Sequence, residues 1–135
     1  MQDKQITAVT ELDRSQYLTK VYAGGHFIYA DEPTELGGTD EGMTPVALLL
    51  ASLGSCTAIT LRMYADRKNM ALDSIKIHLA LVEPTSDVLT TNITLKIEFG
   101  GNLSSEELTR LLQIADKCPV HKMLTNPFII ETALI

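Results

Sequence analysis

The chain has no tryptophan, and aromatic residues make up only 5% of its 135 positions. Its core must therefore be built from Leu, Ile, Val, Ala and Met, with the five methionines suited to irregular gaps between close-packed helices. Positive charge is also scarce: eleven Lys and Arg stand against seventeen Asp and Glu, a net charge of −6. The basic residues form no run, which disfavours nucleic acid and anionic membrane surfaces as partners. A basic-then-apolar amino terminus is lacking, so no secretory leader is expected. There are two cysteines, and in a chain without such a leader that number fits the reducing cytosol. No uncharged run is long enough for a membrane. The longest, Pro45–Leu61, falls short of the roughly 20 residues a span requires and carries Ser52, Gly54, Ser55, Thr57 and Thr60. It reads as a helix buried in protein.

What is present has the length of one domain. Residues 16–23 and 26–31 read as an antiparallel hairpin about Gly24-Gly25, preceded by a weakly patterned stretch at Ile6, Val9 and Leu12. An acidic, Gly- and Pro-rich loop follows over 31–43. Thr44 is placed to cap a helix beginning at Pro45, with Met43 and Leu48 as its hydrophobic staple. That helix should run to about Lys68 and end in a left-handed turn at Asn69. Ile75, Ile77, Leu79 and Leu81 alternate with polar or small residues, as do Ile93, Leu95, Ile97 and Phe99, so two half-buried strands are predicted. Ser104 and Glu107 form a capping box for a helix over about 105–116, with Leu103 and Leu108 as its staple. Pro119 opens a short helix to about Leu124, and 128–134 reads as a last strand. The order is α+β with antiparallel pairing.

Two residues stand out chemically. Cys56 lies about three turns into the long helix, flanked by Ala51, Ser52, Gly54, Ser55 and Ala58, which make one side of that helix thin. Gly54 costs a helix about 1 kcal/mol relative to Ala, so a packing reason is expected there. A thin helix that is apolar all round requires cover on every face, and a homodimer burying two such helices together is expected. Cys56 is too far in for the helix dipole to assist it, and apolar surroundings raise a thiol pKa. A reactive Cys56 therefore requires a cation from elsewhere: Arg14, or less directly Arg62 and Arg67, which are better placed for surface pairing with Asp66 or the acidic loop. Cys118 precedes Pro119 and so becomes an N-cap, with His121 one turn on, both of which favour a thiolate. Two thiols in such settings suggest a pair cycling between thiol and disulfide. Two buried cysteines are also an ordinary packing choice. Cys118 and His121 supply at most half a metal site and no second ligand pair is visible, so no metal or cofactor is expected. His26 and His78 read as surface or strand-face residues.

The segments GMTPVALLLASLGSCTAITLRMYADRK and CPVHKML, with ADEPTELGGTDEGMTP before them, resemble the OsmC/Ohr family of osmotically inducible and organic hydroperoxide resistance proteins, nearest its OsmC-like (YhfA-type) branch. The resemblance runs from about residue 17 to the end of the chain. It implies a single OsmC-like α+β domain over 1–135, an intertwined homodimer with the long helices at its centre, and two active sites at the subunit interface. It further implies thiol-dependent reduction of hydroperoxides in the cytoplasm. Cys56 matches the attacking thiol and Cys118 the resolving thiol that closes a disulfide, with an organic hydroperoxide or other small apolar ligand and a dithiol reductant as partners. Arg14 approximates the activating arginine.

One position departs from the family pattern. The peroxidases carry a Glu after the helix-opening proline, where it holds the arginine against the thiolate, and here that residue is Val46. Glu35, Asp40 and Glu41 are the loop acids that can substitute. The departure supports an alternative, a non-catalytic small-molecule-binding or redox-sensing protein. A third reading is a structural dimer whose cysteines are merely buried.

Overall fold

A computed structural model describes residues 5–135. Residues 1–4, on which the expectation of no leader partly rests, lie outside the described residues. The chain divides into two compact units, up to Leu49 and from Leu50 onward. The long helix begins in the first and continues in the second.

The first unit holds an antiparallel meander of β1 (Ala8–Glu11), β2 (Thr19–Ala23) and β3 (His26–Ala30), in that order across the sheet. The Gly24-Gly25 turn has φ of 59° and 77°, the all-positive conformation of a two-residue hairpin whose twist matches its strands. Tyr22 and Phe27 face each other across the pair and stack at 5.4 Å, with Tyr29 edge-on to Phe27 at 4.8 Å. The acidic loop is organised by Asp31, which is 2% exposed. Its carboxylate accepts from Thr39 Oγ1 (2.6 Å) and from the backbone N–H groups of Glu32 (2.8 Å), Glu41 (3.1 Å) and Tyr17 (3.2 Å). The Thr39 hydroxyl, and then the backbone donors, hold this carboxyl well below the usual carboxylate range. Helix α1 (Pro45–Arg67) opens as expected, with Thr44 Oγ1 accepting from Ala47 N at 3.2 Å.

The second unit contains the rest of α1, a two-stranded antiparallel sheet of β4 (Leu72–Val82) and β5 (Asn92–Gly101), α2 (Ser105–Ala115) and α3 (Pro119–Leu124). Helix α1 ends in a Schellman turn: Asn69 has φ 53°, Met70 N donates to Ala65 O, and Asn69 N donates to Asp66 O. In the β4–β5 ladder, Ile75 faces Phe99, Ile77 faces Ile97, Leu79 faces Leu95, and Leu81 faces Ile93. All eight are half-buried, whereas Lys76, His78, Lys96 and Glu98 on the opposite face are exposed. His78 Nε2 pairs diagonally with Glu98 Oε2 at 2.6 Å, so His78 is a strand-face residue as read. The pair draws the Glu98 carboxyl below its ordinary range. Gly101 closes β5 with φ 129°, and a Cβ there would run into the Ala71 carbonyl, so only glycine fits.

The capping box of α2 is complete, with Ser104 Oγ accepting from Glu107 N and Glu107 Oε1 accepting from Ser104 N. Leu111, Ile114 and Ala115 of α2 pack with Leu61, Tyr64 and Ala65 of α1 and Leu72 of β4 to form the core of this unit. Gly54 has the packing reason that its helix cost implied, since a Cβ there would meet Leu79 Cδ1 at 2.7 Å. By length and composition α1 is apolar enough to cross a bilayer, yet one side of it is this core. Its Ile59 and Met63 remain more than half exposed.

One expected element is absent. Residues 128–134 form no strand, and Phe128, Ile129, Ile130 and Leu134 are exposed. Alternating apolar residues become a strand only with an edge to pair with, and among the described residues no strand pairs with this segment.

Candidate functional site

Cys118 takes the N-cap of α3 with extended backbone, φ −66° and ψ 141°, and Pro119 holds the first helical position. Its Sγ accepts from the backbone N–H of His121 at 3.2 Å. The N-cap position expected for Cys118 brings this backbone donor with it, and His121 contributes through its N–H and not its ring. The capping geometry directs that N–H at the cap side chain, while the ring points to Asp116 Oδ1 at 3.6 Å. Cys118 is fully buried, and Thr57 Oγ1 lies 3.7 Å from its sulfur.

Cys56, immediately before Thr57 in α1, is half-buried, and its thiol lies within reach of Cys118, of Thr60 and of the Val120 backbone. The two cysteines, far apart in sequence, are therefore brought together, and both are free thiols. Burial pushes the Cys56 thiol up. The neighbouring Cys118 adds to this, and hydrogen bonds from the Val120 backbone and Thr60 act against it. Within this unit no arginine answers that shift. Arg62 is held by Asp66 (2.7 Å) and the Leu72 carbonyl, the surface pairing that was expected. Arg110 bonds to Tyr64 Oη and Gln113 Oε1. Arg14 is an exposed residue between β1 and β2. Val46 is 45% exposed.

A cavity of about 270 Å³ opens beside α3, lined in equal parts by the apolar Leu53, Ile93, Leu95 and Leu124 and the polar Thr91, Asn92, His121 and Thr125. Sequence reasoning missed Thr57. The signal available was a hydroxyl one residue from Cys56 in a run whose other inward positions are apolar. Among the described residues no group of three or more His, Cys, Asp or Glu side chains is arranged to hold a metal ion.

No curated protein matches the chain. Solved structures do. An OsmC-like protein from Mycoplasma pneumoniae is 22% identical with a TM-score of 0.77, the match covering 91% of this chain and 89% of that one. The organic hydroperoxide resistance protein OhrB of Bacillus subtilis is 21% identical over 90% of this chain and 91% of its own, with a TM-score of 0.63. A proposed organic hydroperoxide resistance protein of Vibrio cholerae, solved with captopril bound in one of its active sites, is 16% identical with a TM-score of 0.65, covering 93% of this chain and 87% of that one. These likenesses establish the α+β fold, with its antiparallel strands and long helix. The model of the OsmC-like protein family matches residues 38–133, a span holding both cysteines, the whole of α1 and the β4–β5 ladder. The chain belongs to the OsmC-like protein family.

Proposed function

We propose that this chain is a thiol-dependent reductase of organic hydroperoxides. The observation that carries the reading is the pair itself: in a chain of this family, a half-buried Cys56 lies against a fully buried, capped Cys118. The Cys56 thiolate attacks the outer peroxide oxygen, the O–O bond breaks, and the alcohol leaves with a proton, so Cys56 becomes a sulfenic acid. The Cys118 thiol then attacks the Cys56 sulfur. An S–S bond forms, the S–O bond breaks, and water leaves with the Cys118 proton. A dithiol returns both cysteines to thiols and becomes a disulfide itself. No cofactor enters this cycle. Half of the lining of the cavity beside α3 is apolar, at Leu53, Ile93, Leu95 and Leu124, and offers a surface for the organic part of the peroxide. Free thiols of this kind suit a cytoplasmic protein. The test is consumption of several organic hydroperoxides with several dithiols, by the wild type and by Cys56→Ser. No turnover with any combination overturns the proposal.

The active protein is a homodimer in this reading. Ile59 and Met63 of α1, with Ala58 and Ile75, line an apolar groove of about 410 Å³, and the 128–134 segment lacks a pairing edge. A second copy covers such surfaces, and obligate interfaces often exceed about 2,000 Å². Light scattering at micromolar concentration is expected to give twice the chain mass, and a folded monomer there excludes the obligate dimer.

Val46 supports the second reading, in which the same pocket binds a small molecule or senses oxidation without efficient turnover. The two are separated by Val46→Glu. A carboxylate at the second residue of α1 is favoured by the helix dipole, and the partial exposure of Val46 spares it most of the desolvation cost. With Arg14 as the cation it orients, the variant is expected to move the pH profile of Cys56 oxidation to lower pH and to raise the rate at neutral pH by about tenfold, the effect of one pKa unit. A folded, dimeric variant that reacts no faster favours the binding or sensing protein.

A further inference from the structure

We propose that the Thr57 hydroxyl is a positioning group for the Cys118 sulfur, setting how readily the Cys56–Cys118 pair closes to a disulfide. The inference rests on the peroxidase reading only for the biological use of the pair, since the closure itself is thiol chemistry.

Thr57 is fully buried, as is Cys118. Packing at this point of α1 asks only for volume, and valine supplies the same volume without a polar atom. A buried hydroxyl carries a desolvation cost unless it is bonded. Thr57 Oγ1 donates to the Leu53 carbonyl at 2.9 Å, the back-bond a helical threonine commonly makes. The same oxygen lies 3.7 Å from Cys118 Sγ, in reach to donate to the sulfur or, while its proton is on Leu53 O, to accept from the S–H. While Cys118 is a thiol, its S–H donates to Thr57 Oγ1 and the threonine proton stays on Leu53 O. When the thiol loses its proton, the hydroxyl rotates and donates to the sulfur instead. In both states the sulfur is held between Thr57 and the His121 N–H at 3.2 Å. It thus stays in the orientation from which it meets Cys56, the neighbour of Thr57 on α1. The bonds to Thr57 favour the reduced pair and keep the attacking sulfur aimed. Their loss should therefore shift the equilibrium towards disulfide while slowing closure from the sulfenic acid.

The experiment uses the full-length protein with Thr57→Val, which keeps the volume and removes the hydroxyl, and Thr57→Ser, which keeps the hydroxyl. Equilibration with reduced and oxidised dithiothreitol, without peroxide, is expected to show Thr57→Val shifted about fivefold towards disulfide, the worth of one ordinary hydrogen bond. Thr57→Ser should stay within about twofold of wild type on the same basis. After one equivalent of cumene hydroperoxide with dimedone as a trap, the ratio of trapped Cys56 sulfenic acid to disulfide should rise about fivefold in Thr57→Val, and serine should restore it. Thr57→Ala gives a second hydroxyl-free reading should the valine variant fold poorly. An unshifted dithiol equilibrium in both hydroxyl-free variants overturns the proposal, as does a serine variant that behaves like valine. A wild type inert to peroxide but with the valine shift intact removes the peroxidase reading and leaves the role of Thr57 standing.

Discussion

Serine in place of Cys56 is expected to lower the consumption of organic hydroperoxides by at least about a thousandfold, because the nucleophile of a covalent cycle is removed outright. Serine has the shape to sit on α1 but not the chemistry: its oxygen forms no sulfenic acid and no disulfide. Cys118→Ser should differ in kind. It consumes one equivalent of peroxide and stops at a Cys56 sulfenic acid that dimedone traps, since nothing resolves it. In the wild type, peptide mapping after one equivalent should find an intrachain Cys56–Cys118 disulfide, and the adjacency of the two side chains makes that bridge reachable. The pH dependence has a definite sign. Burial raises the Cys56 pKa, and only the thiolate reacts, so the rate should climb about tenfold per pH unit from neutrality until that pKa is passed. Both thiols still free after peroxide, or a Cys56→Ser protein with wild-type turnover, would defeat the peroxidase reading.

The parts of the fold legible in the sequence were those specified locally. Thr44-Pro45 and Ser104 with Glu107 are caps whose hydrogen bonds close within three residues, and both formed. Asn69 tolerates a positive φ, and α1 ends there. The β4–β5 alternation fixes its own register, because a slip of one residue would turn Ile75 to Leu81 outward. Even the Cys118 cap followed from one proline. The last strand failed for the opposite reason: the alternation in 128–134 states what the segment can pair with, but not whether an edge is present. The site was legible as two residues and illegible as a constellation. Nothing local says that the His121 ring turns to Asp116 and leaves Cys118 to the backbone alone. Nor does a lone threonine within an apolar run announce the sulfur it will touch. The activating cation is likewise set by long-range packing, and Arg14 keeps the role only as a proposal.

The core of the second unit is expected to fail most sharply at Leu61. This side chain is fully buried, and it joins α1 to Leu111, Ile114 and Ala115 of α2 and to Leu72 of β4. Leu61→Ala removes three carbons from a point enclosed on all sides, where rigid neighbours from a helix and a strand limit collapse into the void. The lost transfer energy and the cavity together cost about 3 kcal/mol, and for a chain of this size that lowers the melting temperature by roughly 10 °C. The measurement is thermal unfolding of the wild type and the variant at matched protein concentration, because association makes the midpoint concentration-dependent. Ile59→Ala on the opposite side of α1 is the control within the same helix. Ile59 is 55% exposed in the single chain, so for a monomer its truncation should cost well under half as much as Leu61→Ala. In the proposed dimer Ile59 is covered, and the two substitutions should then approach one another in cost. Equal losses at the two positions support burial of α1 on both sides. A near-neutral Ile59→Ala beside a severe Leu61→Ala argues that α1 has one buried face, and against a dimer closed over this helix. A near-neutral Leu61→Ala would contradict the core described for this unit.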